Sequence, residues 1–272
     1  MQTWKLTIEY DGTRYRGWQK QLNAKTVQGA LIKAAEEFLK TKVDISGSGR
    51  TDAGVHALGQ VAHLKIKEDK PSLKPRQVQI GLNDLLPHDI NILKVESALN
   101  DFHARHSAIS RHYLYQISTR RTAFGKPYVW WVRDKLSLKA MNKCCEMIVG
   151  RHDFSSFCEL TSELSSTIVV VDAAQIFTSG DLILFRIGAS HFLWKMVRRI
   201  VGTLVEVGRS NLSVEQFQNL LEGNSKETAA WTAPPSGLFL EKVLYEGEVR
   251  ARVSRKINLS CSNNDGSWQA DF

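Results

Sequence analysis

With 272 residues, 43% of them hydrophobic and 24% charged, the chain is long enough to bury one large core or two smaller ones, which excludes a wholly disordered protein. Lys and Arg number 36 against 28 Asp and Glu, a formal net charge of +8 that suits a polyanionic partner without identifying one. No apolar run approaches the roughly 20 residues that cross a bilayer, and Met1 to Thr7 lacks the apolar core of a secretion signal, so the expectation is a cytoplasmic protein with no membrane span. Cys144, Cys145, Cys158 and Cys261 show no CxxC spacing and read as free structural thiols.

Trp4 to Tyr10 alternates, with Trp4, Leu6 and Ile8 on one side and Lys5, Thr7 and Glu9 on the other, which predicts a strand with one wet face. Asp11-Gly12-Thr13 ends it in a turn. Thr26 caps a predicted helix whose Val27, Ala30, Leu31, Ala34 and Phe38 recur at helical spacing up to Leu39. Strands are expected at Val43 to Gly47 and Gly59 to Ile66, then a helix opened by Pro75, then a strand from Ile90 to Ser97. The order is β-α-β-β-α-β.

From Arg111 the same order recurs. A strand is expected from Arg111 to Thr119, a helix from Leu138 to Val149, and a hairpin of Ile168 to Phe177 and Leu182 to Gly188 turned by Ser179-Gly180-Asp181. Helices follow at His191 to Val207 and Ser213 to Leu221, the second opened by the capping box Ser213-x-x-Gln216, before a last strand from Leu238 to Tyr245. This is an α+β pattern of two ferredoxin-like (RRM-like) halves with antiparallel sheets and an active-site cleft between them, residues 1–110 and 111–257. The stretch 258–272 is rich in Ser and Asn without an amphipathic period and reads as a poorly ordered tail.

Between two of the expected strands lies Gly47-Ser48-Gly49-Arg50-Thr51-Asp52-Ala53-Gly54-Val55-His56-Ala57, where three glycines surround one arginine and one carboxylate. Such a loop can bring its main chain close to a ligand. Taken alone, Asp52-Ala53-Gly54 also fits a tight turn whose aspartate bonds its own backbone. The whole run, however, resembles the signature loop of TruA-type tRNA pseudouridine synthases. Further stretches match that family in the same order: Tyr10-Asp11-Gly12-Thr13 with Gly17-Trp18-Gln19, Phe102-His103-Ala104-Arg105, Arg111 with Tyr113 and Tyr115, His152-Asp153-Phe154, Phe192 to Gly202, and Ala233 to Leu238. His106 and Phe239 depart from the pattern, the first where an aromatic or aliphatic residue is usual and the second where Tyr is common.

The resemblance implies a catalytic role for Asp52, an arginine partner in Arg198 and an aromatic platform for the target base in Tyr113. The implied reaction breaks the bond from ribose C1′ to uracil N1, turns the base and joins C1′ to C5. Nothing is oxidised and the base stays with its ribose, so neither cofactor nor metal is expected. An ionised carboxylate can attack C6 or C1′ or remove a proton, and a partly dry site calls for a cation beside it. Target uridines within a stem must leave the stack. Arg50, Arg105 and Arg111 are the expected phosphate contacts, which position RNA without reading its sequence.

The implied partner is the anticodon stem-loop of tRNA, and the implied assembly a homodimer. His103-x-x-His106 has neither the shared helical face nor the carboxylate of a zinc site. The rival reading is a noncatalytic RNA-binding protein with tandem RRM-like modules. It calls for aromatic RNP motifs on the central strands, and the sequence has none.

Overall fold

The computed structural model describes residues 2–67, 73–161 and 165–246, so the expected tail and Cys261 lie outside the described residues. The protein is a mixed α/β structure with mostly antiparallel strands. It divides into two compact units, one of Met1–His112 with Phe239–Glu246 and one beginning at Tyr113 and running to Leu238.

In the first unit β1 (Gln2–Tyr10) is followed by α1 (Val27–Leu39), β2 (Asp44–Gly47), β3 (His56–Ile66), α2 (Pro75–Asn83) and β4 (Ile90–Ser97), the order expected. Trp4, Leu6, Ile8 and Tyr10 are buried along one face of β1. The Thr26 hydroxyl accepts from the Gly29 amide to cap α1, which presses Val27, Leu31, Ala34, Ala35 and Leu39 onto the sheet side. Strands β4, β1 and β3 pair antiparallel, with Leu6 opposite both Ala62 and Val95.

The free edge of β3 is shared by two strands. β2 pairs antiparallel with its later part, Asp44 to Gly47 against Lys65 to Ala62. β10 (Leu238–Tyr245) pairs parallel with its start, Phe239 opposite His56 and Leu240 opposite Ala57. The chain between β2 and β3 therefore leaves the sheet beside the point where its edge changes partner.

In the second unit β5 (Ala108–Ser118), which begins in the first, leads to β6 (Trp130–Trp131), α3 (Leu138–Met147), β7 (Gly150–Asp153), β8 (Ile168–Ser179), β9 (Leu182–Ala189), α4 (Met196–Gly208) and α5 (Val214–Glu222). β8 and β9 form the expected hairpin, with Ser179 opposite Leu182 and Gly180 at φ 54° in the turn. The capping box of α5 is present, Ser213 accepting from the Gln216 amide and Gln216 from the Ser213 amide. α4 starts at Met196, not at His191, because Lys195 takes a left-handed φ of 64° that no helix can continue through. β7 was not foreseen; it is a short strand against β8, Gly150 opposite Val171. Cys144, Cys145 and Cys158 are free and buried, and burial pushes the Cys145 thiol up to about 12, so these thiols are inert packing groups.

α4 carries a glycine whose side would otherwise collide with backbone. A Cβ on Gly202 would stand 1.4 Å from the Trp231 carbonyl oxygen. Replacing glycine by alanine in a helix gains about 1 kcal/mol, but forced overpacking costs roughly 1–3 kcal/mol and sometimes more. A backbone clash this close decides the balance. Gly202→Ala is expected to lower the thermal midpoint by roughly 5 °C or more; an unchanged or higher midpoint would show that the Trp231 segment moves aside freely.

Candidate active-site loop and its supports

The stretch from Gly47 to His56 is held from both ends and from beneath. Ser48 is 1% exposed; its amide donates to Val61 O at 2.8 Å and its hydroxyl to Gln60 Oε1 at 2.9 Å. Gln60 returns a bond from Nε2 to Gly49 O at 2.9 Å. Further along, the Thr51 and Tyr10 hydroxyls lie 2.8 Å apart, and the Trp18 amide donates to Thr51 O at 3.0 Å. Burial pushes the Tyr10 hydroxyl up to about 12, so it stays protonated in this bond across the neutral range. The Val55 amide donates to Asp52 O at 3.2 Å, and Gly54 takes φ 78°. Asp52-Ala53-Gly54 is thus a tight turn by backbone, and Asp52 stands half-buried at its head.

Three glycines outside the turn let other segments approach it. A Cβ on Gly12 would lie 1.9 Å from Val55 O, and one on Gly17, itself at φ 93°, would lie 2.6 Å from Thr51 O. A Cβ on Gly47 would meet the Trp18 ring at 2.6 Å. His56 Nδ1 stands 3.1 Å from both the Gly12 amide and an Asp11 carboxylate oxygen, so the state of the ring decides which it holds. The same ring stacks on Phe239 with centroids 4.7 Å apart. Phe239 therefore serves as a packing face where the family pattern has Tyr.

Arg50 and Arg105 are exposed. Arg111, expected beside a phosphate, is instead 8% exposed, and its guanidinium donates to the carbonyls of Ser48, Arg105 and Ala108. The His103 and His106 rings lie with centroids 4.3 Å apart, tilted by 49°, and His103 Nδ1 accepts from the Arg105 and His106 amides, which fixes the turn from Phe102 to Ser107. His63 is buried beneath it, its Nδ1 accepting from the Ala104 amide at 3.2 Å, and burial lowers its pKa.

In the second unit Tyr113 is buried on β5, and its ring meets Phe192 edge-on at 4.9 Å and 81°. Arg198 stands in the first turn of α4, half-buried. Its Nε donates to Ala233 O at 2.7 Å, while the Ala233 amide donates to Arg198 O at 3.0 Å. One residue on, Pro234 O accepts from the Tyr115 hydroxyl at 2.8 Å. The start of α4 is anchored by Glu159, which takes Arg199 and, at 3.3 Å, Lys195. The segment from Ala233 thus ties the helix of Arg198 to the strand of Tyr113.

A family model described as tRNA pseudouridine synthase matches residues 6–107 and 144–246, more than half of the chain and both units described above. The chain belongs to the tRNA pseudouridine synthase family. Among curated relatives, the tRNA pseudouridine synthase A of Brucella ovis is 38% identical over 247 residues, covering 90% of this chain and 98% of its own. Those of Brucella suis and Brucella melitensis match to the same extent. Among solved structures, a chain from the crystal structure of a Cbf5-Nop10-Gar1 complex aligns with a TM-score of 0.34 and 10% identity, over 74% of this chain and 45% of that one. Within this synthase fold, the supporting roles of Tyr10, Gly12, Gly17 and Trp18 were not derivable from the sequence by spacing. Their only signal was that Tyr10-Asp11-Gly12-Thr13 and Gly17-Trp18-Gln19 belong to the matching motifs.

Proposed function

We propose that this chain isomerises uridine to pseudouridine in the anticodon stem-loop of tRNA, with Asp52 as its catalytic carboxylate. The observation that carries the reading is the braced glycine-rich loop, which presents one carboxylate at a tight turn whose flanks are held by main-chain and side-chain bonds. Preorganised loops of this kind keep a reacting group in place without spending substrate binding energy on ordering it. In the same reading Arg198 is the charge partner of Asp52, Tyr113 stacks on the flipped base, and Arg50 and Arg105 meet phosphates beside it. The reaction balances as an isomerisation: C1′–N1 breaks, C1′–C5 forms, the C5 proton passes to solvent and N1 takes up a proton in its place.

The two units are taken as ferredoxin-like halves, a reading supported by the β-α-β-β-α-β order of the first and the strand-helix-hairpin-helix order of the second. A homodimer working in the cytoplasm completes the proposal, since two subunits offer one tRNA a wider basic surface than one. Mapping pseudouridine in tRNA from cells with and without the protein tests the assignment. Uridines of the anticodon stem-loop are expected to lose the modification when the protein is removed. Loss confined to another arm of the tRNA would overturn the proposed target.

A further inference from the structure

Arg111 belongs to the first unit, at the start of β5. From there its Nη2 reaches Ser48 O at 3.0 Å and Arg105 O at 2.6 Å, and its Nη1 reaches Ala108 O at 3.2 Å. Ser48 lies four residues before Asp52 in the loop. Arg105 lies in the turn from Phe102 to Ser107, whose Ala104 is gripped twice: its carbonyl accepts from the Tyr245 hydroxyl at 2.7 Å and its amide donates to His63 Nδ1. The Ser107 amide closes the turn on His103 O at 2.9 Å. An arginine fork carries its charge at all accessible pH and spreads several donors in one plane, so a single side chain can hold carbonyls from two separate segments at a set spacing.

We propose that Arg111 is a positioning residue for isomerisation: it clamps the entrance of the Asp52 loop to the rigid turn from Phe102 to Ser107, and so fixes where the carboxylate stands. This rests on the reading of Asp52 as the catalytic group. It assigns Arg111 a role apart from RNA binding, because its guanidinium is buried and donates to main-chain carbonyls of two segments, whereas a phosphate contact needs exposed donors. Misplacing a reacting group by about 1 Å costs on the order of a hundredfold in rate, so the clamp is read through chemistry more than through affinity.

The test compares Arg111→Lys and Arg111→Ala with the wild type in single-turnover assays at saturating enzyme, in tRNA binding across salt, and in amide exchange of the folded protein. The rate is expected to fall roughly tenfold in Arg111→Lys and roughly a hundredfold in Arg111→Ala. Dissociation constants should stay within about twofold of wild type and keep the same slope against salt. Lysine, with one ammonium, restores part of the clamp, and that partial rescue is expected of a positioning group. If Arg111→Ala does not fold, Arg111→Lys carries the comparison. Amide exchange between Gly49 and Val55 should quicken in Arg111→Lys while that of β1 stays as it was.

This last readout needs no activity, so it tests the clamp even if the wild type fails to isomerise uridine, an outcome that would count against the proposed function alone. A salt slope reduced by about 0.7–0.9 would make Arg111 a phosphate contact and overturn the clamp. A lowered melting temperature with unchanged rate and unchanged loop exchange would leave Arg111 a merely structural residue and overturn it equally.

Discussion

Arg198→Ala is expected to lower the single-turnover rate of uridine isomerisation by two orders of magnitude or more while tRNA affinity changes less than about threefold. Removing a preorganised charge from beside reacting groups costs on the order of 3–4 kcal/mol in catalysis, whereas one part-buried hydrogen bond, such as Arg198 Nε to Ala233 O, contributes only about 1 kcal/mol to stability. The two magnitudes separate the roles: the catalytic loss should greatly exceed any loss of fold. The Ala233 amide bond to Arg198 O is main-chain and survives the substitution, so α4 keeps its hold on that segment. Rates measured with enzyme in excess over labelled tRNA, beside binding constants at one salt concentration, decide the matter. Weakened binding with a normal rate would make Arg198 a phosphate contact.

Local signals in the sequence carried far where the physics is local. Thr26 caps α1, Pro75 opens α2, and Ser213 with Gln216 closes the box of α5, each as its residue type dictates. The alternation of Trp4, Leu6 and Ile8 named the buried face of β1 correctly. What failed was non-local or conformationally unusual. Nothing in Leu238 to Tyr245 shows that this strand would run parallel to the start of β3 and so group with the first unit. Lys195 at φ 64° ended the continuity between His191 and α4, although lysine is an ordinary helix former.

The site divides in the same way. The loop was legible because three glycines, one arginine and one aspartate fall within a few residues, and the family resemblance gave that cluster a chemistry. The role of Arg111 was not legible, since arginine suits a phosphate and a set of carbonyls equally well; only its burial and three main-chain acceptors separate the two. His103 and His106 invited a metal reading by spacing, and the structure shows what the first does: its ring nitrogen takes the amides of Arg105 and His106 to shape a turn. Phe239, a departure from the family pattern, turns out to supply the face on which His56 stacks.

The central claim is that Asp52 carries the chemistry, and Asp52→Asn tests it most directly. The amide keeps the size of the side chain and removes its charge, and the turn around it is held by main-chain bonds that the substitution does not touch, such as Val55 N to Asp52 O and Trp18 N to Thr51 O. Fold and tRNA affinity are therefore expected to persist, and loss of one negative charge favours a polyanion slightly if at all. Isomerisation can be followed without ambiguity, because C5 of the target uridine gives up its hydrogen when it joins C1′, so tritium placed there must enter water. The wild type should release tritium from tRNA that lacks the modification, with no cofactor added, and Asp52→Asn should release none above background. Release by Asp52→Asn at near the wild-type rate would contradict the account.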